Sequence, residues 1–104
     1  MRQYWVYIMA SRGGVLYIGV TNDLLCRAQE HKSGAFLRGF TRQFNVHRLV
    51  YYETCTDLRM AISREKQLKS WRRQKKIELI SSFNPSWNDL APSPQVDATR
   101  RQAP

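Results

Sequence analysis

Acidic residues are scarce in this chain: eight Asp and Glu stand against seventeen Lys and Arg, a formal charge of +9 with an isoelectric point near 10.2. That imbalance rules out a charge-matched surface and creates a field that draws in polyanions, nucleic acid foremost. Long apolar runs are missing too. Nothing approaches the ~20 residues a membrane span needs, so no membrane role is expected. Cysteine is limited to Cys26 and Cys55, at no metal-ligand spacing, and two histidines are too few to complete a zinc site. Both thiols are expected to be free, as in a reducing cytoplasm. Proline occurs only at 85, 92, 94 and 104. No Gly-rich phosphate loop of the Walker type exists, and no Cys/His or Ser/His/Asp set has supporting spacing.

What is present suits one small domain. A chain of 104 residues, 42% of them hydrophobic, has room for a single modest core. The domain is expected over residues 1–90, followed by a polar, Pro-rich tail over 91–104. Residues 3–9 and 15–20 are rich in aromatic and β-branched types and flank Ser11-Arg12-Gly13-Gly14, which reads as a β-hairpin. The N-terminus therefore reads as a strand rather than a signal peptide. A three-residue loop with a left-handed glycine would put Tyr7 and Tyr17 on one sheet face; a plain four-residue loop would separate them.

Asn22 is placed to cap a helix from Asp23 to Lys32, stopped at Gly34. Residues 34–45 lack periodicity and read as a loop, and 46–53 as a third strand. Thr56 is placed to cap a helix from Asp57 to Trp71. A further helix from Arg73 to Ser82 should end before Asn84-Pro85. The order β-β-α-β-α-α predicts an α/β (α+β) fold, a small three-stranded antiparallel sheet flanked by helices.

Three features carry chemistry. Leu58, Ala61, Ile62 and Leu68 share one helical face, and Glu65 falls in its middle. A carboxylate there needs a metal or a cation such as Arg27 or a neighbouring lysine. Leu24, Arg27, Ala28 and His31 form another stripe, which places a phosphate-gripping guanidinium one turn from a group that titrates near neutrality. Between Arg64 and Lys76 lie Arg64, Lys66, Lys69, Arg72, Arg73, Lys75 and Lys76, with Trp71 among them, a candidate phosphate-tracking surface. Phe36, Phe40 and Phe44, interleaved with Arg38 and Arg42, add a weaker stacking signal.

Val6-Tyr7-Ile8, then Leu16-Tyr17-Ile18-Gly19, then Arg27, His31 and Glu65, together resemble the GIY-YIG nuclease superfamily. The likeness is to its small stand-alone bacterial branch, related to the nuclease domain of the excision-repair incision subunit, and it spans roughly residues 3–90. The resemblance implies a metal-dependent DNA endonuclease in repair or recombination. It assigns the catalytic roles residue by residue. Tyr17, with Tyr7, positions or deprotonates water; Arg27 clamps the scissile phosphate; His31 serves as base or relay; Glu65 is the sole protein ligand to one Mg²⁺ or Mn²⁺. Asn84 resembles a late supporting asparagine.

Two departures bear on the proton acceptor. The first triplet is Trp5-Val6-Tyr7, without its glycine, and Val20-Thr21 stands where some relatives have lysine. Weak sequence preference, or a protein partner that supplies specificity, is expected. The rival expectation is a non-catalytic nucleic-acid-binding module on the same fold.

Overall fold

The hairpin sets the frame. In the structure, a computed structural model that describes residues 2–33 and 46–91, strand β1 (Tyr4–Ala10) and strand β2 (Leu16–Thr21) are joined by a three-residue loop. Ser11 N donates to Val15 O at 3.0 Å, Gly14 N donates to Ser11 O at 3.1 Å, and Gly14 takes φ 90°, a conformation that glycine adopts without penalty. The pairing is odd with odd, Tyr7 opposite Gly19 and Met9 opposite Tyr17. Tyr7 and Tyr17 therefore share a face.

Helix α1 (Leu24–Ser33), strand β3 (Arg48–Cys55) and helices α2 (Leu58–Ser70) and α3 (Arg73–Phe83) follow. The order β-β-α-β-α-α and the three-stranded antiparallel sheet are as the sequence pattern predicts. The strand order is β2-β1-β3, so β1 is central. A bulge interrupts the β1–β3 pairing: Ile8 faces Tyr51 and Met9 faces Leu49, which leaves Val50 without a partner position.

Strand alternation divides the core in two. Val6, Ile8, Ala10 and Ile18 pack with Ala61 and Leu68 of α2 and Ile80 of α3. Tyr7 and Met9 pack with Ala28 of α1, Val46, Leu49 and Ala91. Helix α1 thus covers one sheet face, and α2 with α3 covers the other.

Two local expectations are corrected. The caps lie one residue later than read: Asp23 Oδ1 accepts from Cys26 N at 3.2 Å, and Asp57 Oδ1 accepts from Arg59 N at 2.9 Å. Asn22 and Thr56 are passed over because the chain turns only after leaving each strand; at the first, Thr21 Oγ1 accepts from Asp23 N at 3.0 Å. On α2, Ala61 and Leu68 are buried, but Leu58 and Ile62 are 44% and 37% exposed. A three-stranded sheet is too narrow to cover the full apolar stripe.

The segment after α3 is tied back to the sheet. Asn84 Nδ2 donates to Val50 O at 3.1 Å and to Asn88 O at 2.9 Å, while Leu90 N donates to Leu49 O at 2.8 Å. Asp89 accepts from Leu49 N and Ala91 N and pairs with Lys32 of α1. The 34–45 segment, with Phe36, Arg38, Phe40, Arg42 and Phe44, and the tail from 92 onward lie outside the described residues.

Candidate active site

Tyr7 sits on the central strand and is 1% exposed, its ring lying against Gly19 of β2. A Cβ at position 19 would come within 2.7 Å of the Tyr7 hydroxyl oxygen, so only glycine admits the ring there. The hydroxyl meets His31 Nε2 at 2.9 Å, a buried bond that joins β1 to α1. Tyr17 completes the cluster, its ring centroid 4.8 Å from that of His31 and 6.2 Å from that of Tyr7. Tyr17 thus lies against both rings, giving a contiguous cluster Tyr17–Tyr7–His31 whose buried end is the Tyr7–His31 hydrogen bond. Tyr17 is the more exposed tyrosine and forms its outer end.

Electrostatics fixes the protonation of this cluster. Burial, with the Arg27 charge second, lowers the His31 pKa to about 4. The imidazole is therefore neutral near pH 7 and keeps one ring nitrogen as an acceptor. Burial also pushes the Tyr7 hydroxyl well above the ordinary tyrosine range; Tyr17 and Glu65 push the same way, and Arg27 opposes them. At rest the buried pair is a neutral phenol held on a neutral imidazole.

Arg27 lies on α1 one turn before His31. Its Nε pairs with Glu30 Oε1 at 3.1 Å, with side chains 38% and 42% exposed. So exposed a pair is weak, and a dianionic or phosphate oxygen competes for the guanidinium on favourable terms.

Glu65 comes from the other side of the sheet. Its carboxylate pairs with Lys69 at 3.1 Å, and its charge is felt at Tyr7. The two sides meet at the outer edge of β2, where a hollow of about 220 Å³ is lined by Leu16, Tyr17, Ile18, Lys69 and Lys76. Tyr17 thus borders the hollow on one side and the Tyr7–His31 pair on the other. The structure brings Tyr7, Tyr17 and His31 into contact, with Arg27 and Glu65 in electrostatic range of Tyr7.

Asn84 is used elsewhere. Its amide ties the α3 end to Val50 and Asn88, through both Nδ2 bonds and an Oδ1 that accepts from Asn88 N at 3.2 Å.

The basic run proves heterogeneous. Arg64 grips Glu53 through Nε and Nη2 at 3.0 and 2.9 Å and also bonds Gln67. Arg73 Nη2 donates to Gly14 O at 2.6 Å, clasping the hairpin loop to α3. Lys75 stands 4.2 Å and Arg64 5.2 Å from the Trp71 ring centroid, so cations already cover that indole. Lys66 and Arg72 are exposed, and Lys76 is half-buried at the hollow.

Sequence reasoning missed the Tyr51–Glu53–Arg64 network and the Lys32–Asp89 pair. An acid ending a strand in so basic a chain was the one signal for Glu53. Lys32 and Asp89 are 57 positions apart and left no local signal.

Residues 3–78 match the GIY-YIG catalytic domain. A UPF0213 protein of Staphylococcus epidermidis is 34% identical over 80 residues, which is 77% of this chain and 96% of that protein. One from Clostridium perfringens is 38% identical over 78 residues, 75% of this chain and 83% of the relative. The solution NMR structure of UPF0213 protein BH0048 from Bacillus halodurans is 30% identical, with a TM-score of 0.49 over 76% of this chain and 83% of that one.

Proposed function

Because the chain belongs to the GIY-YIG family of nucleases, which act on nucleic acid, we propose that it is a metal-dependent endonuclease hydrolysing phosphodiester bonds in DNA. The observation that carries this reading is the cluster in which Tyr17 packs on a buried Tyr7–His31 hydrogen bond, ending on a neutral imidazole.

Hydrolysis requires a water to lose a proton as its oxygen attacks phosphorus. A phenol near its ordinary pKa of about 10 is a poor base alone. Here the demand is shared. Tyr17, at the accessible end, takes the water's proton as its own moves to Tyr7, and the Tyr7 proton moves to His31 Nε2. That nitrogen gains basicity once a bound phosphate offsets the Arg27 charge that, after burial, holds the His31 pKa low. No isolated phenolate has to exist. Arg27 grips the non-bridging oxygens and offsets the charge that gathers on them.

Among the described residues no group of three or more His, Cys, Asp or Glu could enclose a metal ion. One carboxylate does fit Mg²⁺ or Mn²⁺, which keep several waters and share substrate phosphate oxygens. Glu65 is the residue that would hold the ion, with Lys69 fixing the carboxylate meanwhile. When bound, the ion supplies positive charge to the phosphoryl and leaving oxygens.

Lys66, Lys69, Arg72, Arg73, Lys75 and Lys76 supply the backbone contacts in this reading, Arg64 less so because Glu53 already occupies it. Asn84 supports the site by holding the segment after α3. A cytoplasmic role in repair or recombination, with a protein partner that supplies specificity, completes the proposal. None of the described helices is long and apolar enough to cross a membrane.

A labelled panel of duplex, nicked, flapped and branched DNA and RNA, incubated with and without Mg²⁺, tests it. Wild type should cut only with metal. Tyr7→Phe should slow cleavage by about 10²–10⁴-fold, the usual worth of a proton-transfer group. Glu65→Gln should stop cleavage while gel-shift binding persists. Binding without cleavage by wild type would leave the non-catalytic reading standing. A Glu65→Gln protein cutting at the wild-type rate refutes the metal-ligand role.

A further inference from the structure

The hollow beside β2 is more than a flank of the tyrosine cluster. Its floor is apolar, Leu16 and the nearly buried Ile18, and its rim carries Tyr17 and the ammonium-bearing Lys69 and Lys76. Lys69 is 56% exposed and shared with Glu65, a pairing that exposure keeps weak. The two lysines come from different helices, so the hollow is open along the outer edge of β2.

Perfect duplex has little to offer such a shape. It presents convex, hydrated phosphates, and its apolar base faces are hidden in the stack. An apolar floor between two cations gains only when a base or sugar leaves the stack and buries its face there. At about 220 Å³ the hollow accepts one such group and excludes a double helix. The lysines would then meet the phosphates on either side, and the strand would continue past Tyr17.

We infer that this hollow receives a single unstacked nucleotide next to the scissile phosphate, so the substrate class is DNA with an unpaired nucleotide at the cut. This rests on the nuclease reading for the word "cut", but the binding preference stands apart from it.

The test uses the whole chain and two DNA duplexes that differ only by one unpaired 2-aminopurine nucleotide, first without metal. Wild type should bind the unpaired duplex about tenfold more tightly, within what one stacked base contributes. The 2-aminopurine fluorescence should change on binding. Leu16→Trp fills the hollow and should bring the affinity ratio close to one. Lys76→Gln, a milder surface change, should lower affinity for the unpaired duplex and reduce its log–log salt slope by about one.

Equal affinity of wild type for both duplexes overturns the inference, as does a ratio unchanged in both variants. Cleavage with Mg²⁺ separates the two ideas. Equal cutting of both duplexes leaves a nuclease without this subsite. The preference without any cutting leaves the subsite on a protein that is not a nuclease.

Discussion

At the scale of single residues, the site depends on what is small as much as on what is reactive. Gly19 matters because the Tyr7 ring occupies the place of its missing side chain. Tyr7 cannot easily yield, being buried and bonded to His31. Gly19→Ala should therefore cost about 1–3 kcal/mol by overpacking and slow cleavage by displacing the hydroxyl. Thermal melts and cleavage rates check both; a variant matching wild type in each would mean the ring gives way freely. Glu65 carries a second lesson. Stranding a buried cation costs about 3–5 kcal/mol, but Lys69 is 56% exposed, so losing its partner should cost only about 0–1 kcal/mol. Glu65→Gln should then melt near wild type, and a fall of several kcal/mol would show that the carboxylate is structural. That Tyr7, Tyr17 and His31 turn inward was legible from the triplets and helical stripes, and the structure puts them in contact. The Tyr7–Gly19 clash was not, because it depends on register across the hairpin.

At the scale of elements, alternation and helix signals located the strands and helices among the described residues, with ends displaced by one or two residues. Where two capping residues stand side by side, as Asn22-Asp23 and Thr56-Asp57 do, the exit from the preceding strand decides between them. Helices α1 and α2 lie on opposite faces, and what joins them is the β2 edge, a fact of sheet order rather than of periodicity. Charge on α2 and α3 is likewise sorted by what it touches. Arg72→Gln removes an exposed cation and should reduce the log–log salt slope of DNA binding by about one with little effect on melting. Arg64→Gln should do the reverse, since it strands Glu53 in a half-buried network, a loss of about 1–3 kcal/mol. Paired melts and salt titrations distinguish them, and equal salt slopes for the two variants would contradict this sorting.

At the scale of the whole molecule, the charge of +9 favours polyanion binding at any physiological pH, but stability should vary with acidity through His31. Its pKa is about 4 when folded, against an ordinary 6.5. Between those values the unfolded chain binds more protons, so stability present above pH 6.5 is lost as pH falls toward 4. Melts across that window should decline for wild type and decline less for His31→Gln; parallel curves would place the acid sensitivity elsewhere. One feature of the sheet also sets the order in which the molecule comes apart. Among the described residues, strand β1 is hydrogen-bonded on both sides, while β2 and β3 each have an outer edge. Its amides should exchange with deuterium only when the whole domain opens, and those of the edge strands through smaller excursions. Tyr7 thus rides on the last part of the protein to let go, and His31 on a helix docked to one face. As the molecule warms, the Tyr7–His31 hydrogen bond should part at its histidine end first, and the proposed cleavage should fade before the sheet melts.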